Sequence, residues 1–131
     1  MRLAYPACFY PEESGGYSVV FPDLGECATQ GDTLENAMEM AVDAASGWLL
    51  LSVEQGEKLP SPTELKDITP EYSGGFVSLV LLDLDAYSNA NSNKLVKKTL
   101  TIPAWLNTAG EKNNINFSAA LKDAVIQQLQ Q

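Results

Sequence analysis

The sequence predicts an α+β fold in two parts, and three observations predict it. Short apolar or alternating stretches before residue 31, and a further one from Phe76, behave as strands, while the stretch beginning at Asp32 repeats its apolar residues with a helical period. A polar run, Ser88 to Asn93, contains no apolar residue larger than alanine and reads as a linker. Beyond it the alternation returns once and is followed by two short helical patterns. These features divide the chain into a first domain over residues 1–87, a linker over 88–94 and a strand-helix-helix unit over 95–131.

In the first domain, Arg2 to Tyr10 is rich in aromatic and small apolar residues and predicts a strand, with Pro6 marking an edge or a bulge. The turn residues of "PEESGG" lead to "YSVVF", Tyr17 to Phe21, which completes a hairpin. A loop follows, with room for a short third strand around Cys27 to Thr29. From Asp32, a plausible N-cap with Glu35 three residues on, Leu34, Ala37, Met38, Ala41, Val42, Ala45, Trp48 and Leu49 form one apolar stripe. Glu35, Glu39 and Asp43 sit four apart on the other side, and Gly56 supplies the stop. After a proline-bearing connector, "FVSLVLLDLDAY", Phe76 to Tyr87, reads as a fully buried strand.

Charge separates the two parts. Residues 1–88 carry three basic and fifteen acidic residues, a net of −12, whereas residues 89–131 carry five basic and two acidic residues, a net of +3. Such a split implies two jobs with partners of opposite sign. The chain has no histidine, which excludes Ser-His, Cys-His and His-ligated metal chemistry. Its two cysteines, nineteen positions apart, make neither a zinc site nor a disulfide framework, and read as free thiols in a reducing cytoplasm. No run is long enough to span a membrane, and the N-terminal stretch "MRLAYPACFYP" is not expected to act as a signal peptide. No nucleotide-binding glycine pattern appears, so catalytic residues, metal ligands and cofactors are all expected to be absent. Asp83 and Asp85 could in principle hold Mg²⁺, but solvated acids at a strand end are the better reading.

In the tail, Lys97-Lys98-Thr99-Leu100-Thr101-Ile102 alternates. If Leu100 and Ile102 face inward, Lys97, Thr99 and Thr101 share the opposite face. Pro103 starts a short helix, Asn114 suits a left-handed turn position, and Asn116 caps a second helix with Phe117, Leu121, Ala124, Val125 and Leu129 at helical spacing. One strand and two short helices cannot bury their own apolar surface, so the unit requires a second copy. Two such strands paired about a two-fold axis give a ribbon that fits the DNA major groove. Lys97, Lys98, Thr99 and Thr101 are the candidate DNA contacts on the ribbon, with Asn116 and Ser118 offering a helix N-terminus to a phosphate.

This pattern, in "KKTLTIPAWLN" and "NINFSAALKDAVIQQL", resembles the ribbon-helix-helix repressors. The first part, from Tyr17 to Leu50, resembles the N-terminal domain of HicB-type antitoxins through Tyr17, Phe21-Pro22-Asp23-Leu24, Cys27 and Gly31-Asp32-Thr33-Leu34-Glu35. Gly25-Glu26 stands where members of that family usually carry Pro-Gly. The resemblance implies a degenerate RNase H-like first domain whose first strand, "RLAYPACFY", lacks the carboxylate of the active enzymes. It implies a cytoplasmic antitoxin that binds and blocks a small basic HicA-like mRNA-cleaving toxin. It also implies a homodimer through the tail, extendable to a higher oligomer, that represses its own operon on double-stranded operator DNA. Asp23, Glu26 and Asp32 are candidate toxin contacts. Two rivals are a free-standing repressor with an N-terminal ligand-sensing domain and a metal-dependent nuclease using Asp83, Asp85 and Asp43.

Overall fold

The computed structural model describes residues 1–91 and 95–130. It comprises two compact units, Met1–Asn93 and Lys94–Gln131.

The first unit is one antiparallel sheet with a long helix on one face. β1 (Arg2–Pro11), β2 (Tyr17–Phe21), β3 (Cys27–Gly31) and β4 (Phe76–Asp83) lie in the order β3-β2-β1-β4. β1 is therefore central, yet β2 pairs only with its second half, Cys8 to Pro11, while β4 pairs with Arg2 to Phe9. Pro6 sits in the half paired on one side alone, where its missing N–H leaves no ladder bond unmade. Register places Tyr5, Ala7 and Phe9 on the same face as Val19 and Phe21 of β2 and Val80 and Leu82 of β4, and all seven are buried. Cys8 and Cys27 fall on opposite faces of the sheet and both are free thiols. Burial pushes the Cys27 thiol above its ordinary pKa.

Helix α1 (Leu34–Glu54) covers that face with small residues: Ala37, Ala41 and Ala45 are fully buried at four-residue intervals, followed by Leu49. Large side chains on the sheet and alanines on the helix let the two backbones approach closely. The approach is tightest at Gly31, where a Cβ would lie 2.3 Å from the Ala37 nitrogen and 2.5 Å from its Cα. The helix starts one residue later than predicted. Thr33, not Asp32, is the N-cap: its hydroxyl accepts from the Asn36 N–H at 3.0 Å, while the Asn36 side-chain Oδ1 accepts from the Asp32 N–H at 3.1 Å. Asn36 thus takes the place expected for Glu35. At the other end Gly56 adopts φ +78°, and the N–H groups of Gly56 and Glu57 donate to the carbonyls of Val53 and Ser52, a Schellman stop.

A direct helical crossover would deliver β4 parallel to its neighbour. Instead the connector runs back beside the sheet, and its course is fixed by three side chains. The Tyr5 hydroxyl donates to the Pro60 carbonyl at 2.6 Å, Asp23 accepts from both the N–H and the hydroxyl of Thr63, and the Tyr10 hydroxyl accepts from the Glu71 N–H. Burial, and secondarily the Asp23 carboxylate, hold the Tyr5 phenol above its ordinary pKa, so it remains a donor. β4 then enters antiparallel to β1. It is not the fully buried strand to Tyr87 that its composition predicted: Leu79 and Leu81 on the outer face are 51 % and 61 % exposed, and the strand stops at Asp83. The Asp83 carboxylate accepts from the Ala86 N–H and so starts helix α2 (Leu84–Asn91). The first four residues of the predicted linker are therefore helical; residues 92–94 lie outside the described part.

The β2–β3 loop closes at Leu24-Gly25-Glu26-Cys27, with the Cys27 N–H donating to the Leu24 carbonyl and both central residues at φ +60°. This is the geometry of a type I′ turn, which favours glycine at both positions. Glu26 carries the strain of a side chain in the left-handed region, about 1 kcal/mol or more. Glu26→Gly is expected to stabilise the first unit by about 0.5–1 kcal/mol, raising the melting temperature by roughly 2–6 °C in a calorimetric scan. No rise would mean the turn relaxes without cost.

In the second unit, α3 (Ala104–Lys112) and α4 (Phe117–Leu129) form a helical hairpin. Pro103 is the N-cap of α3, one position before its predicted place inside the helix. Asn114 takes φ +55°, and the N–H groups of Asn114 and Ile115 donate to the carbonyls of Glu111 and Gly110, so the turn is a second Schellman motif. The Asn116 side chain accepts from the Ala119 N–H at 3.1 Å and caps α4 as predicted. Residues 95–103 belong to neither helix nor strand in the single chain, in contrast to the predicted strand at Lys97 to Ile102. An isolated strand has no ladder partner, and within one copy nothing supplies one.

Candidate functional site

The second unit has almost no interior of its own. Among its described residues Gly110 alone is buried, and neither α3 nor α4 encloses a large side chain. Leu100, Ile102, Leu106, Ile115, Phe117 and Leu121 instead line an open groove of about 660 Å³, each of them 39 % to 53 % exposed. Burying half of such a side chain contributes about 1 kcal/mol, so the groove represents several kcal/mol of unspent hydrophobic stabilisation.

The alternation in the sequence is visible in this groove. Lys98, Leu100 and Ile102 line it, whereas Lys97, Thr99 and Thr101 do not and are exposed. Lys97, Thr99 and Thr101 thus form one set, and Lys98 shares the apolar side. Ser118 also lines the groove. Asn116 commits its side-chain oxygen to the helix cap, which leaves the N–H groups of Phe117 and Ser118 without a partner among the described residues. Of the six residues predicted to meet nucleic acid, three share a polar face, one borders the groove beside them, and two mark the start of α4.

The three acids predicted in the first unit are not brought together. Asp23 is tied to Thr63 by hydrogen bonds of 2.9 and 2.6 Å and holds the connector in place. Glu26 is an exposed turn residue, and Asp32 lies at the far end of β3, which separates them by roughly 20 Å of extended chain. The carboxylates weighed as metal ligands are equally dispersed. Asp83 caps α2, Asp85 accepts from the Met1 α-amino group at 2.7 Å, and Asp43 is exposed on α1. Among the described residues no group of three His, Cys, Asp or Glu could hold a metal ion.

One grouping was not anticipated from the sequence. At the end of the sheet where β1 leaves and β2 and β4 enter, Phe76 stacks on Phe9 with ring centroids 5.3 Å apart, and Tyr17 meets Phe76 edge-on at 6.3 Å. A separate pair lies on the other face of the sheet, where Tyr10 follows Phe9 along β1 and meets Tyr72 of the connector edge-on at 5.4 Å. Tyr72 is 64 % exposed and Phe76 39 %. The pairings Phe9 with Phe76 and Pro11 with Tyr17 create this cluster, so a strand register was the signal needed to find it.

The profile of the HicB-like antitoxins of bacterial toxin–antitoxin systems matches residues 5–113. Antitoxin HicB 1 of Photorhabdus laumondii subsp. laumondii is 48 % identical over 61 residues, covering 47 % of this chain and 39 % of that protein. The chain thus spans less than half the length of that relative. An uncharacterised 14.9 kDa protein of Haemophilus phage HP1 is 35 % identical over 106 residues, covering 79 % of this chain and 76 % of its own length. Among solved structures, a chain of a toxin–antitoxin complex from Streptococcus pneumoniae superposes with a TM-score of 0.62 at 29 % identity, covering 98 % of this chain and 99 % of that one. With an antiparallel sheet backed by one long helix, a helical hairpin after it, and a profile match running from β1 to the end of α3, this chain belongs to the HicB-like antitoxin family.

Proposed function

We propose that the chain neutralises a HicA-like, mRNA-cleaving toxin by direct binding through its first unit, and represses its own operon through a tail that dimerises on operator DNA. In this reading residues 1–87 form a degenerate RNase H-like toxin-binding domain and residues 95–131 a ribbon-helix-helix domain. The observation that carries it is the tail's division into two faces: Leu100 and Ile102 line an open apolar groove, while Lys97, Thr99 and Thr101 stand on the polar side. A second copy covers the groove, supplies the missing ladder partner, and gathers six polar side chains on one ribbon. The near end-to-end likeness to a chain of a toxin–antitoxin complex supports a toxin as the partner of the first unit. A surface rich in carboxylates steers a basic, RNA-binding protein and competes with RNA for it. Family membership favours this reading over a free-standing repressor.

The test is an operator titration at several salt concentrations. Lys97→Ala, which removes two cations from a dimer, should weaken binding and reduce the slope of log K against log salt by about 2. Thr99→Ala and Thr101→Ala should change the preferred sequence more than the overall affinity. If all three variants bind like the parent, the polar face does not meet DNA.

A further inference from the structure

The aromatic end of the sheet offers a more specific assignment, which rests on the toxin-binding function proposed above. Three segments converge there: the β1–β2 turn, the entry to α1, and the connector's approach to β4. The pairing of Tyr17 with Gly31 and the packing of Gly75 against the Tyr10 ring bring them side by side. Residues 10–17, 31–35 and 70–76 contain five carboxylates (Glu12, Glu13, Asp32, Glu35 and Glu71) and no lysine or arginine. All five are exposed, and no salt bridge reaches them among the described residues. Glu71 adjoins Tyr72 in the chain, and Glu12 and Glu13 follow closely on Tyr10, whose ring Tyr72 meets edge-on while remaining 64 % exposed.

An exposed aromatic ring beside uncompensated carboxylates is suited to lysine and arginine side chains. The ring face attracts a cation within about 6 Å, and the carboxylates pair with the same ammonium or guanidinium group while speeding the encounter. Tyrosine and arginine are also among the residue types enriched where protein interfaces concentrate their binding energy. A second copy of this chain would set five carboxylates against five, so self-association is opposed here by like charge. We propose that the Tyr10–Tyr72 side of this sheet end, flanked by Glu12, Glu13 and Glu71, is the docking surface for the basic toxin, and that a cationic side chain of the toxin lies across the Tyr72 ring.

The experiment is a calorimetric titration of the full chain with a catalytically inactivated HicA-like toxin, at low and moderate salt. Tyr72→Ala should weaken binding about tenfold or more, while Tyr72→Phe, which keeps the ring, should bind within about threefold of the parent. Glu71→Lys should weaken binding by at least about tenfold at low salt, with a smaller loss as salt rises. Glu39→Lys, on the exposed side of α1, should change affinity by less than about threefold. If Tyr72→Ala and Glu71→Lys bind like the parent, the toxin docks elsewhere and this assignment is overturned while the antitoxin function stands. If these variants alter the mass of the free chain but not its toxin affinity, the surface belongs to a second copy and the assignment is likewise overturned. A parent chain that binds no toxin overturns both.

Discussion

Leu100→Asp should leave the chain monomeric at micromolar concentration and lower its affinity for operator DNA by at least about a hundredfold. Leu100 lies on the apolar side of the 97–102 segment and lines the groove with Ile102 and Phe117, 53 % exposed in the single chain. In a two-copy ribbon that exposure disappears, and a carboxylate placed there is buried twice, once from each copy and close to its symmetry mate. Removing a charge from water without a partner costs several kcal/mol per ion, and a like charge nearby adds to it. Association must also overcome at least about 4 kcal/mol of lost translational and rotational freedom, so a groove that contributes about 1 kcal/mol per half-buried side chain has little surplus to lose. Sedimentation equilibrium and an operator titration check both consequences. Thr99→Asp, on the polar side, serves as the control: it should dimerise normally yet bind DNA poorly. A Leu100→Asp chain that remains dimeric would place the second copy somewhere other than this groove.

Gly31→Ala should be the most damaging small substitution in the first unit. The added methyl would meet the Ala37 nitrogen at 2.3 Å and its Cα at 2.5 Å. These are backbone atoms of the first turn of α1, so no rotamer change relieves the clash. Either the helix must lift from the sheet or β3 must leave β2. Overpacking of this kind costs about 1–3 kcal/mol, and more when backbone has to move. For a unit of this size that lowers the melting temperature by roughly 4–24 °C. Thermal unfolding followed by tryptophan fluorescence in a Trp105→Phe background, where Trp48 alone reports, measures the loss directly. Operator binding through the tail should survive at low temperature, because Gly31 belongs to the first compact unit alone. An unchanged melting temperature would show that the close approach of β3 to α1 is softer than its geometry implies.

Much of the fold is legible in the sequence, and the places where it is not have local physical causes. The hairpin, the third strand and the long helix follow from periodicity, since the alanine stripe of α1 and the β-branched run of β2 admit few other environments. The start of α1 was displaced by one residue because Asp32, Thr33 and Asn36 can all cap, and only the structure shows Thr33 and Asn36 doing so as a pair. The run from Phe76 to Tyr87 reads as one buried strand by composition. It becomes a strand and a helix because Asp83 turns its carboxylate onto the Ala86 N–H. The segment 97–102 alternates like a strand yet is irregular in one copy, since strand structure is a property of a pair.

Sites were harder to read than elements. Asp23 carries the same charge as its neighbours in sequence, but a residue forty positions away, Thr63, turns it into a structural tie. The aromatic end of the sheet draws on residues spread from Tyr10 to Phe76, and only the strand register collects them. In the tail the alternation that sets Leu100 and Ile102 along the groove is local, within six consecutive residues, and for that reason it is legible without a structure.

The central claim is that two copies of residues 97–102 pair into a ribbon. An isotope-filtered NMR experiment on a mixture of labelled and unlabelled chains measures this most directly. Antiparallel pairing places opposite Cα atoms roughly 4.5–5.5 Å apart, so the account predicts cross-strand contacts between residues 97–102 of the two chains, with Leu100 and Ile102 methyl groups near the Phe117 ring. Contacts confined to one chain, or none between the 97–102 segments of a dimer, would contradict it.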